Sequence, residues 1–287
     1  MKTMSYPELW HRLTALYDEH EARAIVRRVL DERFGLSMTD IYSGRVEQLS
    51  EADRQSLEMI MQRLEQGEPV QYVLGVADFC GRPFHVEPGV LIPRPETEEL
   101  CRWITQGGRL PCVILDVGTG SGCIAITLAL DIPDSQVTGW DISDAALRIA
   151  GENARRLHAD ITFEKRDALN LSLSSFHLPP STEHWDLIVS NPPYIDEAKE
   201  HDGMAKNVLD YEPHIALFAP AGEPDRFYRR IGGYAIRSLK PGGRLFFELN
   251  PLTAEAVADY LRQLGFQEVE IRKDQFGKNR FLKATKI

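Results

Sequence analysis

Val113-Ile114-Leu115-Asp116-Val117-Gly118-Thr119-Gly120-Ser121-Gly122 is a short apolar run that turns into a glycine-rich loop, and Cys123 to Leu130 continues it as a helix. Glycine lets the backbone come close to a ligand, and the first turn of the helix offers N–H groups with no partner inside it. Strand, glycine loop and helix in that order predict an α/β fold whose ligand lies beyond the carboxyl ends of the strands. The same alternation continues downstream. About twenty residues past the last glycine, Val137-Thr138-Gly139-Trp140-Asp141 is a second strand ending in an acid, placed to take two ribose hydroxyls. A third strand, Ile161 to Lys165, ends at Arg166-Asp167-Ala168, placed to touch an adenine amine and ring. A fourth, Trp185 to Ser190, ends at Asn191.

The loop alone leaves its ligand open. Gly120-Ser121-Gly122-Cys123-Ile124-Ala125 fits part of a dinucleotide-binding pattern, so a nicotinamide cofactor and S-adenosyl-L-methionine (SAM) both suit Gly118, Thr119, Gly120, Ser121 and Gly122. Asp116 favours a cofactor that carries an ammonium, because a carboxylate there would repel a pyrophosphate. A helix-cap role for Asp116 is the alternative. Asn191-Pro192-Pro193-Tyr194 decides between the two cofactors. Each proline fixes its φ and lacks an N–H, which makes a stiff turn whose carbonyls have no ladder to join. The Asn191 side-chain carbonyl and the Pro192 main-chain carbonyl then accept both hydrogens of one planar –NH2 group. Tyr194 offers that group a flat face, or simply packs the turn. A dehydrogenase has no use for such a clamp; a methyltransferase acting on an amide or exocyclic amine does.

These features resemble a class I SAM-dependent amino-methyltransferase. Leu91-Ile92-Pro93-Arg94-Pro95-Glu96-Thr97-Glu98 narrows the resemblance, together with Glu68-Pro69-Val70-Gln71-Tyr72-Val73-Leu74-Gly75, Phe79-Cys80-Gly81 and Tyr211-Glu212-Pro213-His214-Ile215-Ala216-Leu217. With Lys273-Asp274 and the following Gly277 and Arg280, they resemble the PrmC/HemK family over essentially the whole chain. The resemblance implies methylation of the side-chain nitrogen (N5) of the glutamine in the Gly-Gly-Gln motif of peptide chain release factors, with S-adenosyl-L-homocysteine as by-product and no metal. It implies Asn191, Pro192 and Tyr194 as catalytic residues and Asn191, Pro192, Pro193 and Tyr194 as the substrate clamp. Asp116, the loop from Gly118 to Gly122, Asp141, Asp167, Ala168 and Asn191 are the implied cofactor contacts. The family pattern Glu-Ile-Gly-x-x-Gln after the fifth strand is replaced by Glu248-Leu249-Asn250-Pro251-Leu252-Thr253, which puts any contact of that loop in question.

Alternatives stand beside several of these residues. Asp167 and Ala168 fit a plain surface loop, and Glu96, Thr97 and Glu98 fit helix capping, whereas the resemblance implies that their loop lies near the methionine end of the cofactor. Tyr211 to His214 fits a loop anchor. Asn-Pro-Pro-Tyr is shared with adenine N6-methyltransferases of nucleic acid, and a non-catalytic SAM-binding adaptor would carry the loop without needing the clamp.

Composition narrows the field further. The 287 residues, 43% hydrophobic and 26% charged, suit a globular protein of more than one domain. A formal net charge of −10 makes duplex DNA or bulk RNA an awkward partner, since phosphate binding rests on Lys and Arg. Cys80, Cys101, Cys112 and Cys123 have no C-x-x-C spacing, so reduced thiols in a cytoplasmic protein are expected rather than a metal site or disulfides. No apolar run is long enough to span a membrane and no signal-peptide core follows Met1. Nothing requires more than a monomer.

Residues 1–68 are expected to form an N-terminal helical domain. Leu9, Leu13 and Leu16, then Val26, Val29 and Leu30, and Leu57, Ile60, Met61 and Leu64 all recur at helical spacing. The pattern alone fits a structural cap and a substrate grip equally; the resemblance makes it the grip on a release factor. Residues 69–93 read as a β-hairpin linker with turn signals at Gly75, Gly81-Arg82-Pro83 and Pro88-Gly89. Residues 94–287 read as a doubly wound Rossmann-like sheet. Its elements include strand Cys112–Asp116, helix Asp144–Arg156, a helix from about Pro224 to Leu239 and a turn at Lys240-Pro241-Gly242-Gly243. Strand Arg244–Leu249, helix Ala254–Leu264 and an antiparallel hairpin close it.

Overall fold

The computed structural model describes residues 4–106, 113–171 and 184–287. The chain divides into two compact units, one comprising the chain up to Val76 with Ala205–Tyr211, the other Ala77–Met204 with Glu212–Ile287.

In the first unit, helices Tyr6–Leu13, Glu19–Phe34, Met38–Tyr42 and Glu51–Glu65 start at Ser5, Asp18, Ser37 and Ser50, whose side chains accept N–H groups of the first turn. Their apolar stripes bury Leu9, Leu13, Val26, Val29, Leu30, Leu57, Met61 and Leu64 in one core. Leu16, expected on the first stripe, is exposed beyond the helix end. Helix Lys206–Tyr211 belongs to this unit, and the Tyr211 hydroxyl donates to the Gln66 carbonyl at 3.0 Å.

The segment from Val70 departs from the hairpin expected there. Val70–Leu74 is a helix, entered after Pro69 and ended by Gly75 at φ 73°. Only the stretch beyond it is a hairpin, of strands β1 (Val76–Phe79) and β2 (Arg82–His85). Pro69 cannot extend a preceding helix but suits a new start, and a left-handed Gly75 closes one turn later.

The second unit is built on a seven-stranded sheet. Its strands are β3 (Val113–Val117), β4 (Gln136–Asp141), β5 (Ile161–Lys165), β6 (Trp185–Ser190), β7 (Leu239–Glu248), β8 (Gln267–Lys273) and β9 (Asn279–Thr285). Their order is β5-β4-β3-β6-β7-β9-β8; β3 to β7 are parallel and β9 is antiparallel to both neighbours. This is the doubly wound sheet with a closing hairpin read from the sequence. Central strands are buried on both faces, so they are almost wholly apolar. Ile114, Leu187, Val189 and Phe246 enter the core on one side; Leu115, Ile188, Leu245 and Phe247 enter the core on the other. Cys112, expected to open the first strand, lies outside the described residues. Among the described residues no helix is long and apolar enough to cross a membrane.

Lys240-Pro241-Gly242-Gly243 shows a second difference. It lies inside β7 rather than before it. The register jumps from Trp185 opposite Leu239 to Leu187 opposite Arg244, so the turn-forming residues bulge out of a continuous strand. Gly242 N–H and Gly243 carbonyl pair with Lys286, which holds the bulge in place.

The order puts β6 in the middle of the sheet between β3 and β7, with β4 beyond β3. The carboxyl ends of β3, β4, β5, β6 and β7 therefore open on one side, where such sheets bind ligands.

Candidate active site

At that edge lies a cavity of about 240 Å³. Val117 to Ser121, Asp141, Asp167, Ala168 and Asn191 to Pro193 line it, as do Leu91, Pro93, Arg94 and Thr97. Ile215, Ala216 and Phe227 complete one side. Motifs far apart in the chain thus meet in one place.

The glycine loop is held from behind. Gly118 and Thr119 N–H groups donate to the Trp140 carbonyl at 2.8 and 2.9 Å, which ties the loop to the end of β4. Gly122 sits at φ +81° with helix Asp144–Arg156 close behind it: an added Cβ would lie 3.2 Å from the Ala150 Cβ and 3.0 Å from Ile126 Cδ1. At Gly118 and Gly120 an added Cβ would meet nothing within 4 Å, so the loop has open space in front of it for a ligand. Asn153, fully buried, clamps the loop from the same helix. Its Nδ2 donates to the Ser121 and His85 carbonyls at 2.9 Å each, and its Oδ1 accepts the His85 N–H at 2.7 Å.

Asp141 lines the cavity. Each of its oxygens accepts one backbone N–H, from Gly120 and Ser143, both at 2.9 Å. Burial raises its carboxyl above the usual range despite those bonds. Each oxygen keeps a further lone pair, enough for two vicinal hydroxyls. Asp167 caps the short turn Ala168–Asn170 by accepting the Leu169 N–H at 2.8 Å. Asp116 lies behind the loop and does not line the cavity. It is fully buried; Oδ2 accepts from the Thr119 hydroxyl at 2.7 Å and Oδ1 makes no hydrogen bond of normal geometry. Desolvation pushes its carboxyl up to about 7, against the Thr119 hydroxyl and the Ala125 N–H.

The Asn-Pro-Pro-Tyr turn is braced through buried polar groups. Asn191 Nδ2 donates to Thr97 Oγ1 at 3.3 Å, and that hydroxyl donates to Glu248 Oε2 at 2.7 Å. Glu248 Oε1 accepts from the Tyr194 hydroxyl at 3.3 Å. Desolvation raises Glu248 to about 7, while Thr97 and Arg280 work against the rise. Tyr194 packs against the core and, like Asp116, does not line the cavity; burial pushes its phenol up.

Asn250, in the divergent loop, is a further brace. Its Nδ2 donates to the Tyr194 carbonyl at 3.1 Å and to Glu200 Oε1 at 2.9 Å, and its N–H donates to the Tyr228 hydroxyl at 3.2 Å. Glu212 joins two other motifs: it accepts the Ile92 N–H at 3.0 Å and pairs with Arg94 Nη2 at 2.5 Å. Among the described residues no group of three or more His, Cys, Asp or Glu forms a metal site.

A model of a methyltransferase domain matches residues 111–276, and a model of the PrmC N-terminal domain matches residues 8–75. Over 274 residues, 96% of this chain and 96% of the relative, the sequence is 42% identical to the release factor glutamine methyltransferase of Bacteroides thetaiotaomicron. The chain belongs to the release factor glutamine methyltransferase family. The enzyme of that name from Flavobacterium psychrophilum is 36% identical over 95% of each chain. A Thermus thermophilus 16S rRNA methyltransferase, solved with AdoMet and guanosine, shares the fold: TM-score 0.50, 20% identity, 74% of this chain and 50% of that one. Family relatives do not favour the adenine reading.

Glu212 anchors a loop, one of the roles its motif suggests, and Thr97 lies in the loop that the resemblance brings near the cofactor; local sequence gives Asn153, Glu248 and Asn250 no role in the site. Asn153 carried a signal, a polar residue on the apolar stripe of Ala146, Ile149, Ala150 and Ala154. Glu248 carried one too, an acid directly after Leu245-Phe246-Phe247 in a buried strand.

Proposed function

We propose that this chain transfers a methyl group from SAM to the side-chain amide nitrogen of the glutamine in the Gly-Gly-Gln motif of peptide chain release factors. The observation that carries the reading is the Asn191 amide. Its Nδ2 is committed to Thr97, its Oδ1 forms no hydrogen bond among the described residues, and it shares a cavity with the glycine loop and Asp141. Open space before Gly118 and Gly120 and the free lone pairs of Asp141 fit a nucleoside with a ribose diol. Asp167 and Ala168 are assigned to the adenine, and Asp116 acts from behind the loop as negative charge near a cationic tail. Bound SAM supplies an electrophilic methyl on a sulfonium.

The chain's own task is orientation. An amide nitrogen is a poor nucleophile because its lone pair is delocalised into the carbonyl. Asn191 Oδ1 and the Pro192 carbonyl accept its two N–H groups, which holds the nitrogen in one attitude. As positive charge grows on that nitrogen, the same acceptors stabilise it more strongly than they do the ground state. The proton then leaves to water. Tyr194, anchored on Glu248, holds the turn behind the substrate amide. The first unit is assigned to gripping the release factor and the second, which carries the cavity, to catalysis.

The test is incubation with SAM and a purified release factor, followed by mass spectrometry of the Gly-Gly-Gln peptide. One added methyl on that glutamine, absent with Asn191→Ala, is the expected result. Transfer to an oligonucleotide and none to the protein would overturn it.

A further inference from the structure

We propose that Thr97 and Glu248 form a positioning pair that sets which way round the Asn191 side-chain amide sits, and so leaves its oxygen to accept from the planar –NH2 group that this site methylates. The inference rests on the reading of Asn191 as the substrate clamp. The oxygen and nitrogen of an Asn amide are nearly the same size, so only hydrogen-bond partners decide which end points where.

Glu248 Oε2 stands 2.7 Å from Thr97 Oγ1. An ionised carboxylate has no hydrogen to give, so the Thr97 hydroxyl donates to it and can only accept from its other neighbour. That neighbour is Asn191 Nδ2, at 3.3 Å. Oδ1 is therefore the end left for substrate. The reversed amide would set its oxygen against a hydroxyl oxygen whose hydrogen is already committed. It would also present N–H groups to the N–H groups of the substrate.

Glu248 is itself held: Oε1 takes the Tyr194 hydroxyl at 3.3 Å, and the side chain is 2% exposed. The charged and titratable groups facing it are Arg280, Glu96, Tyr194 and Tyr228. Burial favours the protonated form, while the Thr97 hydroxyl and Arg280 favour the ionised form on which the pair depends, the form that predominates above about pH 7. A proton on Oε2 would free the Thr97 hydrogen to turn toward Asn191 and permit the reversed amide. Thr97 and Glu248 act through Asn191, so they are positioning rather than catalytic residues.

Thr97→Val keeps the shape and removes the hydroxyl; Thr97→Ser keeps the hydroxyl. With a Gly-Gly-Gln peptide or release factor as acceptor, kcat/KM for the acceptor is expected to fall about five- to tenfold in Thr97→Val, the weight of one lost orienting hydrogen bond. Thr97→Ser should return to within about twofold of wild type on the same reasoning. SAM affinity, measured by calorimetry, should be unchanged in both. The loss of acceptor kcat/KM as pH falls through about 7, where Glu248 takes up its proton, should be smaller in Thr97→Val than in wild type. Equal activity in wild type and Thr97→Val overturns the proposal. So does an equal loss in the Val and Ser variants, or a parallel loss of SAM affinity. Should Thr97→Val not fold, Glu248→Gln decides. Its amide can hand Thr97 either polarity, so reduced activity with a weaker fall below about pH 7 than in wild type is expected. Full activity with the wild-type profile overturns the proposal. Absence of transfer by the wild-type protein would instead defeat the acceptor reading itself.

Discussion

Asp116→Asn should change how stability depends on pH, and the size of the change follows from burial. The Asp116 carboxyl rises from 3.8 to about 7 in the folded protein, chiefly because it is cut off from solvent. Three units correspond to about 4 kcal/mol at ~1.36 kcal/mol per unit. The folded pKa lies above the unfolded one, so the folded state holds the proton longer. Below pH ~4 the group is protonated in both states and has no effect. Between ~4 and ~7 the unfolded chain ionises first, and stability falls as pH rises. Above ~7 both states are ionised and the loss is complete. Asparagine does not titrate, so between pH 5 and 8 the variant should gain about 2–3 kcal/mol relative to wild type. Glu248, also raised to about 7, titrates in both proteins and cancels from the difference. Urea unfolding at each pH, followed by tryptophan fluorescence, reads the larger unit through buried Trp103, Trp140 and Trp185. Parallel stability curves for wild type and variant from pH 5 to 8 would refute the reasoning. A constant offset is a separate matter, because Asn places an N–H where Oδ1 now has no partner.

Three further outcomes are expected. Asn191→Ala should remove most turnover while SAM affinity by calorimetry stays within about twofold, since the side chain's bond is to Thr97. Asp141→Ala should weaken SAM binding by about 10- to 100-fold, the worth of charge-assisted hydrogen bonds to a diol, with affinity measured directly rather than through activity. Gly122→Ala should destabilise the larger unit by about 2–3 kcal/mol, because the left-handed backbone strains an added methyl and its contacts at 3.0 and 3.2 Å force Ile126 and Ala150 to give way; thermal melts check it.

The fold was legible because its signals are local. A strand of Val, Ile and Leu, three glycines and a helix in immediate succession admit few other structures, and the acid ending β4 follows from the same grammar. Lys240-Pro241-Gly242-Gly243 carries turn residues, yet the strand continues through them, because parallel pairing with β6 tolerates a bulge that no local rule foresees. The helix at Val70–Leu74 was hidden by its brevity: one turn between Pro69 and Gly75 looks the same as a short strand. The reading brought Asn191, Asp141, Asp167 and the loop to one cavity because each sits at a strand end. It missed the partners behind them. Thr97 meets Glu248 across 151 positions and Asn153 meets His85 across 68, and pairing over such distances leaves no local trace.

Those hidden partners explain why motifs without evident chemistry sit in the chain at all. Glu212 accepts the Ile92 N–H and pairs with Arg94, so the Tyr-Glu-Pro-His segment holds a loop that lines the cavity together with the glycines. Glu248 holds Thr97 and Tyr194, and through them both ends of the Asn-Pro-Pro-Tyr turn. Asn250 stands where the family pattern has glycine, and takes the Tyr194 carbonyl from the other side. A glycine there has no side chain to offer, so this chain braces its clamp with one hydrogen bond that the family pattern lacks. Burying carboxylates is unfavourable, and two of them near 7 mark how far the larger unit departs from its most stable arrangement. The departure has a physical reason. When the acceptor nitrogen is an amide and no strong base stands beside it, rate depends on how tightly its attitude is held, and rigid buried hydrogen bonds are the means a fold has of holding it.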